Sequence, residues 1–431
     1  MARTKIDYGI DLGTTNSAIA RMEHGEPIIK KSEGYQMDTT PSCVHYNKKK
    51  TLKVGKKAYN LLDKEKNIAF QKNDKSLINA FEEFKRTMGT DEKYESINMG
   101  KSFSSEELSA QLLKALKGYV RDEEINSIVI TVPAKFQGYQ KDATIDAAKL
   151  AGFQHCILLP EPIAASMAYG VDAKAIDGEW LVFDFGGGTF DAALMKSVEG
   201  IMKVVDTEGD NHLGGKNLDL AIADEIIIPY LKENYSIANI LADDERKSLL
   251  RNAIKRFAEE TKINLSPADK NQYDILTDEA IGEDDEGEEI EIDLTVTKEQ
   301  YEKVVKPIFQ RAVDLSLKLL KNNNLTGSDL TTVLMIGGPT FSETVRDMIR
   351  EQITEKVEIS IDPMIAVAQG AALYASTKDI PEDIRETDKT KIQLKLSYQP
   401  DIVEIETKVG VRVLRDKTEG DVPEKLFVEL K

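Results

Sequence analysis

The sequence contains the same short pattern twice: an apolar strand ending in aspartate, a tight glycine turn with threonine, and a returning strand. The first copy is DLGTT at residues 11–15, and the second is DFGGGT at residues 184–189. Bare glycines let the backbone N–H groups of a turn approach an anion closely, and the hydroxyls add donors. The aspartate at each strand end can hold a magnesium ion directly or through water. Two such hairpins facing each other would clamp a triphosphate, which predicts an ATP-handling protein with two related lobes.

The repetition of this pattern matters more than either copy. One copy alone is equally consistent with an ordinary hairpin turn, because Asp and Gly are common turn residues. Two copies, each with an apolar lead-in and a following threonine, are much harder to explain by turn chemistry. Asp11 and Asp184 are separated by about the length of a domain, which indicates duplication of a domain and not of a short repeat.

Composition and charge narrow the class of protein. The 431 residues suffice for two or three domains, and 41% hydrophobic content is ordinary for a globular protein. A net charge of −18 argues against nucleic acid or an anionic membrane as the main partner. Cys43 and Cys156 are too few for a disulfide framework or an ordinary zinc site. With no apolar signal segment in residues 1–10 and no membrane-length apolar run, the sequence predicts a cytoplasmic protein.

Alternating strand and helix patterns favour an α/β fold. A capping signal at Ser104 predicts an amphipathic helix over residues 104–121. Further helices are predicted over residues 139–151, 163–169, 216–234, 243–265 and 298–322, and buried strands over residues 128–132, 157–159 and 333–336.

An acidic run occupies residues 278–293, between strands predicted at residues 273–276 and 290–296. We expect a solvated hairpin tip, because charge runs usually face water. A calcium site would need an ordered ligand spacing that this run lacks.

The composition changes near residue 377. Residues 378–391 are polar and charged, which predicts a linker. Residues 392–431 hold three segments that alternate like strands, at 392–398, 402–413 and 426–430. Three strands are too few to bury a face alone. The sequence therefore predicts a short β-rich C-terminal segment, either an appendage or part of a substrate-binding β domain.

Six motifs resemble the seventy-kilodalton heat-shock protein family in its bacterial form. They are GIDLGTTNS at 9–17, ITVPA at 130–134, EPIAA at 161–165, FDFGGGTFD at 183–191, HLGG at 212–215 and VLMIGG at 333–338. The resemblance covers about residues 5–377. It implies an actin-like ATPase fold with two duplicated ribonuclease-H-like lobes, at residues 1–177 and 178–377, and ATP at the bottom of the cleft.

The resemblance also implies catalytic roles. Lys85 would contact the γ-phosphate and the attacking water, and a fixed cation there would offset charge on the transferring oxygens. Glu161 and Asp191 would orient the water and its ion shell. Without the resemblance, Lys85 is better explained as a solvent-facing lysine beside Arg86, and a purely structural capping role before Pro162 stays open for Glu161.

Metal and phosphate binding are implied for the two hairpins. Asp11 and Asp184 would organise Mg²⁺ largely through bound waters, and K⁺ is a further candidate ion. The phosphate oxygens would be held by the turn residues Gly13, Thr14, Thr15, Asn16, Gly186, Gly187, Gly188 and Thr189, with Thr189 also assigned to catalysis. The sugar and phosphates would lie against Gly214, Gly215, Gly337 and Gly338, where a side chain would collide.

The predicted base pocket departs from the family pattern. Ile263 and Phe341 stand where the family usually sandwiches adenine between two arginines, and Met364 replaces an expected aspartate. An aliphatic and an aromatic side chain can still stack a base by apolar contact, so we expect the base between Ile263 and Phe341. Other residues assigned to this pocket are kept: Glu259, Lys262 and Ser266.

The linker also departs from the pattern. The family joins its ATPase to a peptide-binding domain by a short acidic, leucine-rich segment, whereas residues 389–396 alternate and are basic. The usual sequence for coupling the two domains is therefore missing, and the remaining residues are too few for a complete β-sandwich.

The leading functional prediction is a divergent heat-shock-type chaperone ATPase acting in the stress response. It would bind and slowly hydrolyse Mg-ATP, and its nucleotide state would control lobe closure and a C-terminal partner segment. The implied partners are ATP or ADP, unfolded client polypeptides, a co-chaperone and a nucleotide-exchange factor. Two alternatives stay open: a nucleotide-binding regulatory or scaffold protein with little turnover, and a small-molecule kinase on the same fold.

Overall fold

In the computed structural model the chain forms two compact units. One is residues 6–378, and the other combines residues 1–5 with residues 379–431. The structure describes residues 3–32, 34–170, 178–199, 201–382, 384–385, 392, 394–397, 410–415, 418 and 422.

The first hairpin belongs to a six-stranded sheet. The strands up to residue 170 are β1 (Tyr8–Asp11), β2 (Asn16–Glu23), β3 (Glu26–Lys30), β4 (Thr40–Pro41), β5 (Cys43–Tyr46), β6 (Leu52–Val54), β7 (Ala80–Glu82), β8 (Tyr94–Ser96), β9 (Lys101–Phe103), β10 (Ser127–Val132) and β11 (His155–Pro160). The sheet order is β11-β10-β1-β2-β3, and β4 pairs with β2. β1, β10 and β11 run parallel, and β2 returns antiparallel to β1 as the sequence predicts.

Helices in this part of the chain start at local signals. They are α1 (Lys56–Lys72), α2 (Ser105–Lys117), α3 (Gly138–Leu150) and α4 (Glu161–Ala168). α2 opens with the predicted capping box, in which the Ser104 hydroxyl accepts from the Glu107 N–H at 3.2 Å and the Glu107 carboxylate accepts from the Ser104 N–H at 2.9 Å. It ends before Gly118, earlier than predicted. α4 begins two residues earlier than predicted because Pro162 is accommodated in its first turn.

The second hairpin belongs to a five-stranded sheet. The strands from residue 178 to 358 are β12 (Gly178–Phe185), β13 (Phe190–Val198), β14 (Ile201–Asp210), β15 (Gln272–Leu276), β16 (Asp293–Thr297), β17 (Val333–Ile336) and β18 (Val357–Glu358). The sheet order is β14-β13-β12-β17-β18. β12 and β13 pair antiparallel with Asp184 opposite Asp191, which confirms the predicted hairpin, and β17 matches its predicted bounds.

Seven α-helices follow residue 178 in the described part of the chain, and three of them, beginning at residues 238, 343 and 366, have no counterpart among the predicted helices. They are α5 (Gly215–Ile222), α6 (Ile228–Asn234), α7 (Ala238–Ala242), α8 (Asp244–Leu265), α9 (Lys298–Asn322), α10 (Glu343–Gln352) and α11 (Ala366–Ser376). α9 has the predicted bounds. The helix predicted over residues 216–234 is instead interrupted by a π-helical turn, Ala223–Ile227, before Pro229.

α11 packs against the first sheet. It lies on β1 and on α4, although the predicted lobes place it with the second sheet. The contact depends on small residues, because a Cβ on Gly370 would lie 1.7 Å from the Ala164 carbonyl oxygen and one on Gly9 would lie 2.3 Å from the Ala372 nitrogen. The division into lobes at residues 177 and 377 stays a prediction.

The acidic run largely forms the solvated hairpin tip predicted for it. β15 and β16 pair antiparallel, and most carboxylates between them are exposed, among them Glu283, Glu286 and Glu289. Asp284 is only 7% exposed, and its carboxylate accepts backbone N–H groups from Ser236, Glu286 and Glu288 at 2.8–2.9 Å. Asp284 is the exception, because three backbone donors replace water around it, and the apolar residues of the run are buried in the core: Ile281, Ile290 and Ile292.

The second unit contains one described strand pair. β19 (Leu394–Ser397) pairs antiparallel with β20 (Gly410–Val413), so two of the three predicted C-terminal strand segments each contain a strand. The third segment, at residues 426–430, lies outside the described residues. Of the basic segment at residues 389–396, residues 394–396 belong to β19, and residues 389–391 and 393 lie outside the described residues. Across the described chain, we find no helix with the length and apolarity required to cross a membrane.

Candidate functional site

The two glycine turns meet. A Cβ on Gly187 would lie 1.7 Å from the Thr15 hydroxyl oxygen and 2.6 Å from the Thr15 Cβ, and one on Gly188 would lie 3.5 Å from the Thr14 methyl. Only glycine at position 187 permits this approach. The hairpins therefore converge on one place, as the sequence predicts.

Each turn is closed tightly by its own backbone. In the first turn, a Cβ on Gly13 would lie 2.0 Å from the Asn16 carbonyl oxygen. In the second, the Gly186 N–H donates to the Thr189 carbonyl at 2.9 Å. The start of α5 is tied to the second turn, because the Gly215 N–H donates to the Gly186 carbonyl at 3.0 Å. Gly214 also lies against this turn, since a Cβ there would lie 2.6 Å from the Gly188 carbonyl carbon.

Parallel strand ends bring three polar side chains to one edge of the first sheet. Asp11 ends β1, Thr131 is near the end of β10, and Glu161 follows β11 directly. Because these strands are parallel, their carboxyl ends share an edge, where ligands of α/β sheets commonly bind. The Thr131 hydroxyl donates to Asp11 Oδ1 at 3.0 Å and fixes that carboxylate. Sequence reasoning missed Thr131, although the strand register identifies it.

Lys85 lies in this cluster. It is on the 3₁₀ helix Phe84–Thr87, is only 6% exposed, and its Nζ contacts Glu161 Oε1 at 2.8 Å. Burial alone would lower the pKa of Lys85, but the carboxylates of Glu161 and Asp11 raise it above its usual value. Lys85 is therefore a buried cation and not a solvent-facing lysine, and the Glu161 carboxylate is directed at Lys85 and makes no capping bond.

The carboxylates outnumber the cation they surround. Burial, and then repulsion from Glu161, raises the pKa of Asp11 to about 6 and that of Asp191 to about 7. Burial and repulsion from Glu161, Asp191 and Asp11 raise the pKa of Asp184 well above its usual range, although Lys85 opposes this. Asp11 and Asp184, which come from different hairpins, therefore share one electrostatic environment. A cluster with this surplus of negative charge fits a bound divalent cation.

The donor set suits magnesium held mainly through water. Among the described residues, no three acidic, histidine or cysteine side chains converge as a direct metal-binding group. Mg²⁺ commonly keeps several water ligands and takes only one or two carboxylates from the protein. The residues present therefore fit the predicted arrangement, in which Asp11 and Asp184 act through bound waters.

α8 presents the predicted sugar and base residues beside the turns. The Lys262 Nζ contacts Asp219 Oδ1 at 2.6 Å and would lie 3.5 Å from a Cβ on Gly215. Burial alone would lower the pKa of Lys262, but the Asp219 carboxylate contributes to raising it above its usual value. The Glu259 carboxylate accepts a hydrogen bond from the Tyr59 hydroxyl, which joins α8 to α1. Sequence reasoning missed Tyr59 and Asp219 because no local motif marks either one.

The base-pocket residues lie at the end of α8 and on the turn after β17. Ile263 is 59% exposed and Phe341 is 41% exposed, which is high for large apolar side chains. The two segments are joined by a hydrogen bond from the Glu343 N–H to the Ser266 carbonyl at 3.2 Å. Met364 contacts the same turn, since its sulfur would lie 2.9 Å from a Cβ on Gly338. The stacking of a base between Ile263 and Phe341 stays a prediction.

Two further positions complete the predicted set. Gly337 has φ +86°, and a Cβ there would lie 2.2 Å from the Phe185 carbonyl oxygen, so the turn after β17 requires glycine. The Ser266 hydroxyl donates to the Lys262 carbonyl at 2.7 Å, and its oxygen lies 3.5 Å from the Tyr301 hydroxyl, so neighbouring protein groups satisfy Ser266.

A cavity of about 30 Å³ lies between the turns, α1 and α8. Small-molecule sites usually measure about 300–1,000 Å³, so this cavity is smaller than a nucleotide requires. The cavity is lined by Thr14, Thr15, Ser42, Cys43, Tyr59, Glu82, Glu83, Gly187, Gly215, Lys216, Asp219, Lys255, Glu259 and Lys262.

Comparison with known protein families gives one match across most of the chain. A family model described as Hsp70 protein matches residues 7–411, which include both hairpins, α8 and the turn after β17.

Proposed function

The chain belongs to the Hsp70 family, whose members are chaperone-type ATPases with the actin-like fold, and we propose that it binds Mg-ATP at the two hairpin turns and hydrolyses it slowly. The family match confirms the predicted fold. The bacterial type, the residue roles and the activity of this chain are proposals.

The observation that carries the proposal is the convergence of the two turns beside a buried lysine. Gly187 lies against Thr15, and the carboxylates of both hairpins act on Lys85. Phosphoryl transfer asks mainly for positioning and for charge stabilisation. A pair of backbone anion sites, a fixed cation and carboxylates for a metal supply both.

Asp11 and Asp184 would hold the magnesium ion through its water ligands, and K⁺ is a candidate second ion. When bound, Mg²⁺ supplies positive charge that offsets the phosphate oxygens and the surplus of buried carboxylates. The Thr131 hydroxyl keeps Asp11 in position for this role. The backbone N–H groups of Gly13, Thr14, Thr15, Gly186, Gly187 and Gly188 and the side chain of Thr189 would bind the phosphate oxygens.

Lys85 and the carboxylates beside it would carry the chemistry. Lys85, held at 2.8 Å by Glu161, would place its charge at the γ-phosphate oxygens. A carboxyl group with a pKa near the working pH is suited to accept a proton from an attacking water. Asp191, whose pKa is raised to about 7, is therefore our candidate for that step, with Glu161 orienting the water.

Wider functions are proposed from family membership. We propose that nucleotide state controls closure of the cleft and the C-terminal β-rich segment, and that the chain acts on unfolded polypeptides with a co-chaperone and an exchange factor. We also propose a cytoplasmic location and a role in the stress response.

Single-turnover hydrolysis tests the proposed ATPase. Wild-type protein incubated with Mg-ATP should release phosphate without an added acceptor. The Lys85→Ala variant should lower the rate of phosphate release at least about 100-fold. Lys149→Ala, which removes a solvent-exposed lysine paired with Asp146, is the control and should match wild type. Equal background rates for wild type and Lys85→Ala would instead support the nucleotide-binding scaffold, which the altered base pocket favours. Phosphate released only with an acceptor would support the kinase.

A further inference from the structure

A second ion-pair cluster connects the segment that carries Lys85 to the helices on the other side of the cavity. The Lys255 Nζ, on α8, contacts Glu82 Oε1 at 3.3 Å and Glu83 Oε1 at 3.7 Å. The Lys216 Nζ, on α5, contacts Glu83 Oε2 at 3.0 Å. We call these four residues the ionic clasp.

The clasp is largely removed from water. The Lys255, Glu82 and Glu83 side chains are mostly buried, and Glu82 has a second buried partner, Lys66, at 3.0 Å. Burial alone would raise the pKa of Glu82, but Lys66 and Lys255 together lower it to about 2. Ion pairs in such surroundings are screened much less than surface pairs. Lys255 and Lys66 contact the same oxygen of Glu82, so together they constrain the position of its carboxylate.

The backbone at Glu83 needs such support. Glu83 adopts φ 60° and ψ 14°, in the left-handed region that residues other than glycine, asparagine and aspartate rarely occupy. This residue forms the corner between β7 and the 3₁₀ helix that carries Lys85. Backbone strain of this kind persists where surrounding contacts hold it. The Glu83 carboxylate is bonded to Lys216 and to Arg86 Nη1 at 3.1 Å, so both ends of the corner are held.

A further bond reaches the same corner from beyond the second hairpin. Arg86, which directly follows Lys85, donates from Nη2 to the Asn211 carbonyl at 3.2 Å. Glu82, Glu83 and Arg86 therefore each have a partner within residues 211–255, whereas Lys85 itself is directed at Glu161, at the end of β11. If α5 and α8 move away from the segment, the corner loses Lys255, Lys216 and the Asn211 carbonyl as partners and keeps Lys66.

We propose that Lys255 and Lys216 are positioning residues, which hold Glu82 and Glu83 so that the corner at residue 83 directs Lys85 toward Glu161 only when the cleft is closed. This inference rests on the catalytic role proposed for Lys85 and on the proposed closure of the cleft. It links closure of the cavity to the placement of the lysine, so hydrolysis is confined to the closed state. Opening for nucleotide exchange must break the same contacts.

A purely structural role for the clasp makes a different prediction. Loss of stabilising ion pairs would lower the thermal midpoint without changing the hydrolysis rate of folded protein. If the clasp positions Lys85, its loss lowers the rate of the chemical step in otherwise wild-type protein and has little effect in Lys85→Ala. Its loss also loosens residues 83–88 in protein without nucleotide.

The test compares Lys255→Met, Lys255→Arg and a control, Lys306→Met, which breaks an ion pair at 2.9 Å with Glu302 on α9 and does not contact the clasp. We would measure three quantities: single-turnover hydrolysis, the release rate of a fluorescent ATP analogue, and amide hydrogen exchange of residues 83–88 without nucleotide. Lys255→Met should slow hydrolysis about tenfold, speed nucleotide release about tenfold and speed exchange, each factor corresponding to about 1.4 kcal/mol. Lys255→Arg should retain most of the wild-type hydrolysis rate, and Lys306→Met should match wild type. Lys255→Met in the Lys85→Ala background should cause no further loss of hydrolysis.

Several outcomes would overturn the inference. If Lys255→Met hydrolyses ATP and exchanges its amides as wild type does, the clasp does not position Lys85 and the proposed ATPase still stands. If wild type hydrolyses no more ATP than Lys85→Ala, the proposed function fails and the inference fails with it. Should Lys255→Met not fold, Lys216→Met, in which the exposed end of the clasp is cut, replaces it under the same criteria.

Discussion

Replacing Gly187 with alanine should force the two hairpin turns apart. The new methyl group would lie 1.7 Å from the Thr15 hydroxyl oxygen and 2.6 Å from the Thr15 Cβ, whereas ordinary contact begins near 3.4 Å. A rotamer change can move the hydroxyl but not the Cβ, so the turns themselves must separate by roughly 0.8 Å. Overpacking of this kind typically costs about 1–3 kcal/mol of folding stability.

The assay measures the free energy of unfolding in denaturant and the affinity for Mg-ATP. Besides the loss of stability, displaced phosphate donors should lower ATP affinity at least about tenfold. Gly188→Ala is the matched control for stability, because its new methyl would lie 3.5 Å from the Thr14 methyl, an ordinary contact. Adding Thr15→Gly to Gly187→Ala should recover about 1–2 kcal/mol, since the three nearest atoms all belong to the Thr15 side chain. Equal stability of Gly187→Ala, Gly188→Ala and wild type would refute contact between the turns.

Two further predictions concern the base pocket and the carboxylate cluster. Phe341→Ala should lower ATP affinity about fivefold to tenfold by loss of stacking, measured by calorimetric titration with Ile359→Ala, another exposed apolar residue, as control; unchanged affinity would rule the stacking out. Because folding raises the pKa of Asp191 from 3.8 to about 7, the nucleotide-free protein should lose stability as pH rises between about 4 and 7, by up to about 4 kcal/mol from this group. Asp191→Asn should flatten that part of the pH profile in denaturant titrations, and an unchanged profile would contradict the raised pKa.

The hairpins and strand ends could be predicted because their signals are local. Alternating apolar residues fix the strands, and the glycines after Asp11 and Asp184 fix the turns. The structure confirms both hairpins and the bounds of α9 and β17. That the turns would face each other was an inference from the repeated pattern, and the closeness of Gly187 to Thr15 agrees with it.

Contacts between distant segments could not be predicted in this way. Glu82 and Glu83 precede Lys85 in the sequence, but their partners on α5 and α8 are known only once the cavity forms. The burial of Asp284 within the acidic run was not predicted for a related reason, since its carboxylate accepts a backbone N–H from Ser236, far from it in the sequence. The π-helical turn in residues 223–227 also left no periodicity that distinguishes it from an ordinary helix.

The most direct test of the whole account is a double-mutant cycle on Mg-ATP binding with Asp11→Asn, Asp184→Asn and the double variant. If both carboxylates act on one metal–polyphosphate group, each single change should weaken Mg²⁺-dependent ATP affinity at least about tenfold. The double variant should then lose clearly less than the product of the two single losses, because the second change acts on an ion already displaced. Strictly multiplicative losses, or a single variant that binds Mg-ATP as wild type does, would show that the two hairpins do not serve the same ion.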